Sequence, residues 1–259
     1  MPAYIDTHCH LAARHFDADA DQVAERSARL GVGVLAVGVD AASSEKSVAL
    51  AERHGNVRAA VGVHPCDING MDDAAWERIV RMASHPKVAA IGETGLDYYW
   101  KDTDPDEQKR WFARHIELSV MTGKPLSIHA RESVTDVLAM LEPYCADGLK
   151  AVWHCFVASK KLIAGSIDYA VRNHLYLAVG GLVTFEDQKP LRAHVSRIPD
   201  ELLLLETDAP YLVPRPKTRD RNEPDGVIRT AEVLAELRGC TAEHIAKTTT
   251  ANAAGLFGF

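Results

Sequence analysis

Six side chains of metal-binding type recur along the 259-residue chain: His8 and His10 within His8-Cys9-His10, then Glu93, His129, His154 and Asp208. Neutral imidazoles and carboxylates together suit zinc, manganese, iron, cobalt or nickel and, with fewer nitrogens, magnesium. Taken singly each has a plainer reading. A lone strand-end histidine is usually a surface or capping residue, Glu93 a solvated loop acid, and Asp208 before Ala209-Pro210 a turn starter. What distinguishes them is shared position, because each falls at or just past the end of a short apolar run. Six donors are too many for one tetrahedral ion that keeps an open position. They suit two divalent ions about 3.5–4 Å apart that share a carboxylate. The expected arrangement has Glu93 as the bridge, His8, His10 and Asp208 on one ion, and His129 and His154 on the other. The ions are expected to be Mg, Mn or Zn. Such a pair generates hydroxide near neutral pH and polarises a phosphoryl or carbonyl oxygen, and Asp208 is placed to take the proton of an attacking water.

The elements that must gather these residues follow from periodicity. Eight near-continuously apolar runs read as strands buried on both faces: Ala3 to His8, Val32 to Asp40, Val57 to His64, Val88 to Glu93, Pro125 to His129, Leu149 to His154, Leu175 to Gly180 and Leu202 to Thr207. Between them lie helical patterns at Asp17 to Leu30, Asp73 to Ala83, Pro105 to Thr122, Val134 to Tyr144, Lys160 to Arg172 and Gly226 to Leu237, with a last helix over Thr241 to Ala254. Strand–helix alternation implies parallel pairing with right-handed crossovers. Eight units predict an α/β fold, a (β/α)8 TIM-type barrel formed as a single domain over residues 1–259. A doubly wound open sheet is the alternative, but no GxGxxG follows the first strand. In a barrel all strand C-termini open on one face, where active sites sit. Parity then turns His8 and His10 one way and Cys9 the other, sets His129 with Ser127 opposite Ile128, and groups Asp208 with Glu206 and Leu204.

Composition narrows the partners. The chain is 47% hydrophobic and 25% charged, enough apolar content for a sizeable core, and no stretch approaches the roughly 20 apolar residues of a membrane span. The opening residues carry no basic and apolar export pattern, so the cytoplasm is the expected compartment. Five cysteines without a CxxC pair argue against a disulfide framework or a zinc ribbon. A net charge of −7 argues against bulk electrostatic grip on a long duplex, so any nucleic acid would be held by a local patch or by metal ions. No segment marks an interface, and a monomer is the default.

The same residues, with their neighbours, resemble the TatD-like metal-dependent deoxyribonuclease family of the amidohydrolase superfamily. The matching pieces run in order from the first strand to the last helix: Ile5 to Leu11, Gly62-Val63-His64-Pro65, Ile91 to Tyr99, His129-Ala130-Arg131, His154-Cys155-Phe156, Leu205 to Leu212, Arg221-Asn222-Glu223-Pro224 and Asn252 to Phe257. The resemblance implies a barrel with a divalent-metal centre and 3′-to-5′ removal of nucleotides from DNA, at single-stranded or frayed ends, with the six residues above as ligands. Two pieces depart from the family pattern. Val157-Ala158-Ser159 stands where a Ser-Gly-Ser-type turn is usual, and Asp220 interrupts the basic lead-in to Asn222. The alternative reaction on such a scaffold is hydrolysis of small amides, lactones or esters. Related barrels of that kind often bridge their metals with a carboxylated lysine, whereas here Glu93 holds the strand-four place. A metal-loaded binding protein without turnover is the third reading, opposed by the complete ligand set and the base Asp208.

Further residues are expected to touch substrate. His64 ends the third run on the same rim, either contacting a phosphate or packing beside the metals. Arg131, two residues past His129, has the forked geometry for a phosphate oxygen, with a salt bridge to Glu132 or Asp136 as the alternative. Asn222 lies in the long loop after the eighth strand with Arg215, Lys217, Arg219 and Arg221, the densest basic cluster, which either forms a local positive patch or is simply a solvated loop. Glu206 is expected to orient a ligand. Tyr98, Tyr99 and Trp100 are expected to pack over the barrel mouth, with base stacking as the alternative.

Overall fold

The computed structural model describes residues 2–259. Eight parallel strands pair in chain order, β1 (Tyr4–Cys9), β2 (Val32–Val37), β3 (Val57–Val61), β4 (Val88–Asp97), β5 (Leu126–Arg131), β6 (Ala151–Trp153), β7 (Tyr176–Val179) and β8 (Leu203–Leu205). The helices are α1 (Ala20–Arg29), α2 (Ala41–Arg53), α3 (Asp73–Ala83), α4 (Pro105–Thr122), α5 (Val134–Cys145), α6 (Ile163–Asn173), α7 (Lys189–His194), α8 (Gly226–Arg238) and α9 (Ala242–Phe257). This is the predicted TIM-type barrel. Among the described residues no helix is long and apolar enough to cross a membrane.

Two apolar layers hold it together, and alternation along each strand sorts residues between them. Val34 and Ala36 of β2, Leu126 and Ile128 of β5 and Leu203 and Leu205 of β8 face the helices. Leu35, Val37, Ala60, Ala90, Val152, Ala178 and Leu204 fill the barrel interior with Ile5. Leu256 and Phe257 of α9 join that interior cluster and plug its floor. Thr250 and Asn252 of α9 donate hydrogen bonds to the carbonyls of Ala3 and Leu203, fixing the plug to the strand starts.

The seam between β1 and β8 closes through polar groups. The Asp208 amide donates to the His8 carbonyl at 2.9 Å, and the His10 amide donates to Ala209 at 2.8 Å. Below them the Thr7 hydroxyl donates to Leu205, and the Thr207 amide and hydroxyl both donate to the buried Asp6 carboxyl. Residues some 200 positions apart are thus joined directly beneath the site.

Several boundaries differ from expectation. The second run ends at Val37 rather than Asp40, because Asp40 caps α2: its carboxylate accepts from the Ser43 amide while the Asp40 amide donates to the Ser43 hydroxyl. Helix α2 has no counterpart among the sequence patterns. Its buried face consists largely of Ala41, Ser44, Ser47 and Ala51, with Val48 and Leu50, which gives little hydrophobic contrast. The short α7 was likewise not expected. Strand β4 runs past Glu93 to Asp97, whereas β6 and β8 are only three residues long.

Candidate metal centre

Two irregularities in the ladders aim the site. Along β1 the register steps from Asp6↔Val34 to Cys9↔Ala36, one extra residue on β1. Along β4 it steps from Ile91↔Leu126 to Thr94↔Ile128, again one extra residue. An inserted residue reverses the facing of everything after it. Hence Ile5 lies in the barrel while Cys9 lies under the helices, and His8 and His10 turn inward. Hence also Ala90 lies inside while Leu96 lies outside, and Glu93 turns inward. Gly92 (φ 135°) and Gly95 (φ 136°) shape this stretch of β4. A Cβ on Gly95 would run into the His129 carbonyl, so only glycine permits the approach of β4 to β5.

The inward side chains converge. The Nε2 atoms of His8 and His10 stand 3.3 Å apart, and lie 3.3 and 3.5 Å from Oε2 of Glu93. His10 Nε2 is also 3.2 Å from Asp208 Oδ1. The other oxygen of Glu93, Oε1, lies 2.8 Å from His154 Nε2 and 3.0 Å from His129 Nδ1, and those nitrogens are 3.3 Å apart. Glu93 therefore presents one oxygen to each of two imidazole pairs.

The donor chemistry fits cations. His10 Nδ1 faces the Val37 carbonyl at 3.4 Å, so its proton belongs there and the Nε2 lone pair is left facing two carboxylates. His129 has acceptors on both sides, Glu93 at Nδ1 and Asp97 Oδ2 at Nε2, 2.9 Å away. Burial opposes charge on both rings, yet the carboxylates outweigh it and push His10 and His129 up to about 9. The site thus demands positive charge, as protons or as metal ions. Glu93 stays ionised well below the ordinary carboxylate range: burial works against it, but the imidazoles of His154, His64 and His8 prevail. His8 is pushed down to about 4 by burial and by His154, which leaves it neutral and able to ligate. Burial likewise opposes ionised Asp208, but its hydrogen bond with His10 brings it below its ordinary value. Two orphans complete the fit. His154 Nδ1 and Glu206 Oε2 are buried without partners, 3.8 Å apart, so a small shift lets His154 donate to Glu206 and turns Nε2 toward a cation. Glu206 Oε1 already accepts from the Cys155 amide at 2.5 Å.

His64 is of a different kind. Its Nδ1 accepts the Cys66 amide at 3.1 Å, which places the proton of the neutral ring on Nε2, 3.6 Å from Glu93 Oε1. Burial pushes this histidine down to about 3, so it is a neutral donor facing the cleft. Buried His115 holds the backbone beside it, accepting from the Val63 amide through Nε2 and donating from Nδ1 to Trp111.

His10, His64, Glu93, His129, His154 and Asp208 line a cavity of about 930 Å³ at the C-terminal mouth of the barrel, bounded also by Arg131, Trp100 and Tyr211. Asp97 was not anticipated as a site residue. It grips His129, and its Oδ1 accepts the amides of Tyr99 and Trp100. The one available signal was its place at the end of Glu93-Thr94-Gly95-Leu96-Asp97, visible only once β4 is extended. Arg131 stacks on Tyr99, 3.8 Å from the ring centre, rather than pairing with Glu132 or Asp136. Tyr98 leaves the mouth and donates to Asp136. Asn222 does not line the cavity: wholly buried, it donates to the carbonyls of Thr207 and Leu212 and pins the loop that follows β8. Nor do its neighbours form a free positive patch. Arg219 pairs with Asp225, Lys217 with Asp220, and Arg221 with Asp19 and Glu223, while Arg215 covers Phe185.

A barrel whose strand ends gather imidazoles around a shared carboxylate defines a metal-dependent hydrolase. The family described as TatD related DNase matches residues 5–258, and the chain belongs to it. It is 38% identical to the metal-dependent hydrolase YabD of Bacillus subtilis, covering 97% of this chain and 98% of that one. It is 34% identical to the 3′-5′ ssDNA/RNA exonuclease TatD of Shigella flexneri, covering 98% of each. The crystal structure of YjjV, a TatD homologue from Escherichia coli K12, superposes with a TM-score of 0.91 at 28% identity, over 99% of this chain and 98% of that one.

Proposed function

We propose that this enzyme removes nucleotides from the 3′ end of DNA with two divalent ions, one held by His8, His10 and Asp208, the other by His129 and His154, with Glu93 between them. The observation that carries this reading is the split of Glu93, one carboxylate oxygen toward each imidazole pair. Bound there, Mg, Mn or Zn ions would acidify water and polarise a phosphoryl oxygen.

The protein's own groups do the rest. Asp208, 3.2 Å from His10 and open to the cleft, takes the proton as water adds to phosphorus and the bond to the 3′ oxygen breaks, the departing oxygen gaining a proton from solvent. His64 donates its Nε2 proton in a hydrogen bond to a phosphoryl oxygen. Arg131, with no carboxylate partner among the described residues, holds the next phosphate. Asn222 acts indirectly, fixing the loop that begins at Asp208.

Purified protein treated with a chelator should lose hydrolysis of a 3′-labelled oligonucleotide, and added Mg or Mn should restore it. Asp208→Asn should lower kcat by at least about 10²-fold with the fold intact by circular dichroism. Equal cleavage by metal-free and metal-loaded protein would overturn the reading, as would turnover of esters or lactones with none of DNA.

A further inference from the structure

Among the exposed large apolar side chains three are aromatic, and these follow β4 and β8 at the barrel mouth. Tyr99 is 45% exposed, Trp100 52% and Tyr211 50%. The last two line the catalytic cavity itself. Tyr99 and Trp100 are tied through their amides to the Asp97 carboxylate, and Tyr211 through its amide to the main chain of Asp208. The Trp100 amide donates to Asp97 Oδ1, whose other oxygen grips His129. The Tyr211 amide donates to the Asp208 carbonyl, and the Tyr211 ring lies 6.2 Å from that of His10. The two walls therefore hold their aromatic faces in fixed register with the metal centre.

Charge adds direction. Arg131 is braced over the Tyr99 ring, with Trp100 5.9 Å away, and among the described residues no carboxylate pairs with it. Tyr99 packs edge-on to Trp100, so its face supports the guanidinium while Trp100 keeps open surface. Acidic Asp67 and Asp102 line other parts of the cavity and repel phosphate toward Arg131. Stacking surface flanking one unpaired cation suits a chain that alternates flat bases with phosphates.

We propose that Trp100 and Tyr211 form a nucleobase subsite, with Arg131 on the adjoining phosphate, so that the enzyme engages an unpaired base at the strand end. This rests on the phosphodiesterase reading above and adds the residues that grip the base. Stacking tolerates any base, so the subsite selects for an unstacked nucleotide rather than for a sequence.

The test uses a signal already in the molecule. Trp76, Trp111 and Trp153 are buried, leaving Trp100 the one exposed tryptophan among the four. Metal-loaded protein titrated with a phosphorothioate-linked oligothymidylate should show quenched tryptophan fluorescence, and the same oligomer with an abasic 3′ nucleotide should bind more weakly. Trp100→Ala and Tyr211→Ala should each weaken binding of the base-bearing oligomer by about tenfold and nearly erase its advantage over the abasic one. Both variants should still cleave a phosphodiester-linked oligomer whose 3′ nucleotide is abasic, which offers no ring to stack there and reports an intact centre. Cleavage of DNA without quenching, and with unchanged affinity in both variants, would overturn the subsite alone. Failure of the wild type to bind the oligomer or to cleave any phosphodiester would overturn the subsite and the phosphodiesterase reading together.

Discussion

His115 shows how one buried side chain commits itself to a single protonation state. Its Nε2 must accept from Val63 and its Nδ1 must donate to Trp111, so a second proton would break the first bond. Burial pushes it down to about 4 from an ordinary value near 6.5. Because the folded value lies below the unfolded one, its contribution is complete above about pH 6.5 and is lost as pH falls toward 4. Between pH 7 and pH 5 this one group should cost about 2 kcal/mol of stability. Urea unfolding of wild type and His115→Gln at both pH values checks it, since glutamine keeps an acceptor but does not titrate. Equal losses in the two proteins would show that His115 is not the group responsible. At this scale the sequence was most informative about the centre. Each of His8, His10, Glu93, His129, His154 and Asp208 reaches the cluster that spacing alone suggested. Asn222 was a different matter, because nothing local distinguishes an amide that faces substrate from one that ties two carbonyls. Asp97 was hidden for the same kind of reason, since its importance lies in a contact with His129 across a strand pair.

At the scale of elements, the expected parity is found where it was stated: His8 and His10 face opposite to Cys9 on β1, Leu126 and Ile128 of β5 lie under the helices while His129 faces the cleft, and Leu204 of β8 lies inside. On β1 and β4 regular alternation is interrupted, and there the extra residue, not the period, sets which way Glu93 and the paired histidines face. An inserted strand residue leaves no periodic trace, so its effect could be seen only in the ladder. Helix α2 was missed because a face built largely of alanine and serine resembles a polar loop, although Asp40 and Ser43 carried its capping signature. Helices α3 and α4 were legible to the residue, since Trp76 and Ile79 supply contrast in one and Pro105 and Gly123 punctuate the other. The irregular β4 yields a sharp prediction. Gly95→Ala would force a Cβ against the His129 carbonyl at a φ that alanine rarely adopts. The variant should lose about 1–3 kcal/mol of stability, and more activity than the stability loss explains, because β4 and β5 must separate. Thermal unfolding with a parallel hydrolysis assay measures both. An active Gly95→Ala of wild-type stability would contradict the role given to this contact.

For the whole molecule, net charge and site charge oppose each other. A chain of net charge −7 pairs three of the four basic residues of its densest basic loop internally, through Asp19, Asp220, Glu223 and Asp225. In the proposed function nucleic acid is held by the centre, by Arg131 and by stacking, with few further phosphate contacts. The logarithm of the binding constant should fall only shallowly with the logarithm of salt, with a slope of about −1 to −2 for a single strand. Fluorescence anisotropy of a labelled, phosphorothioate-linked oligomer across salt concentrations gives that slope, and a steep value would reveal a basic surface that this account lacks. The barrel was legible as a whole because buried parallel strands carry continuous apolar runs. Its closure was not, since the β1–β8 seam depends on Asp6 and Thr207 meeting across some 200 residues. The central claim concerns what that closure assembles. Anomalous diffraction from crystals grown with manganese should place two peaks about 3.5–4 Å apart, one beside each carboxylate oxygen of Glu93. A single peak away from Glu93, or peaks on other residues, would contradict the account.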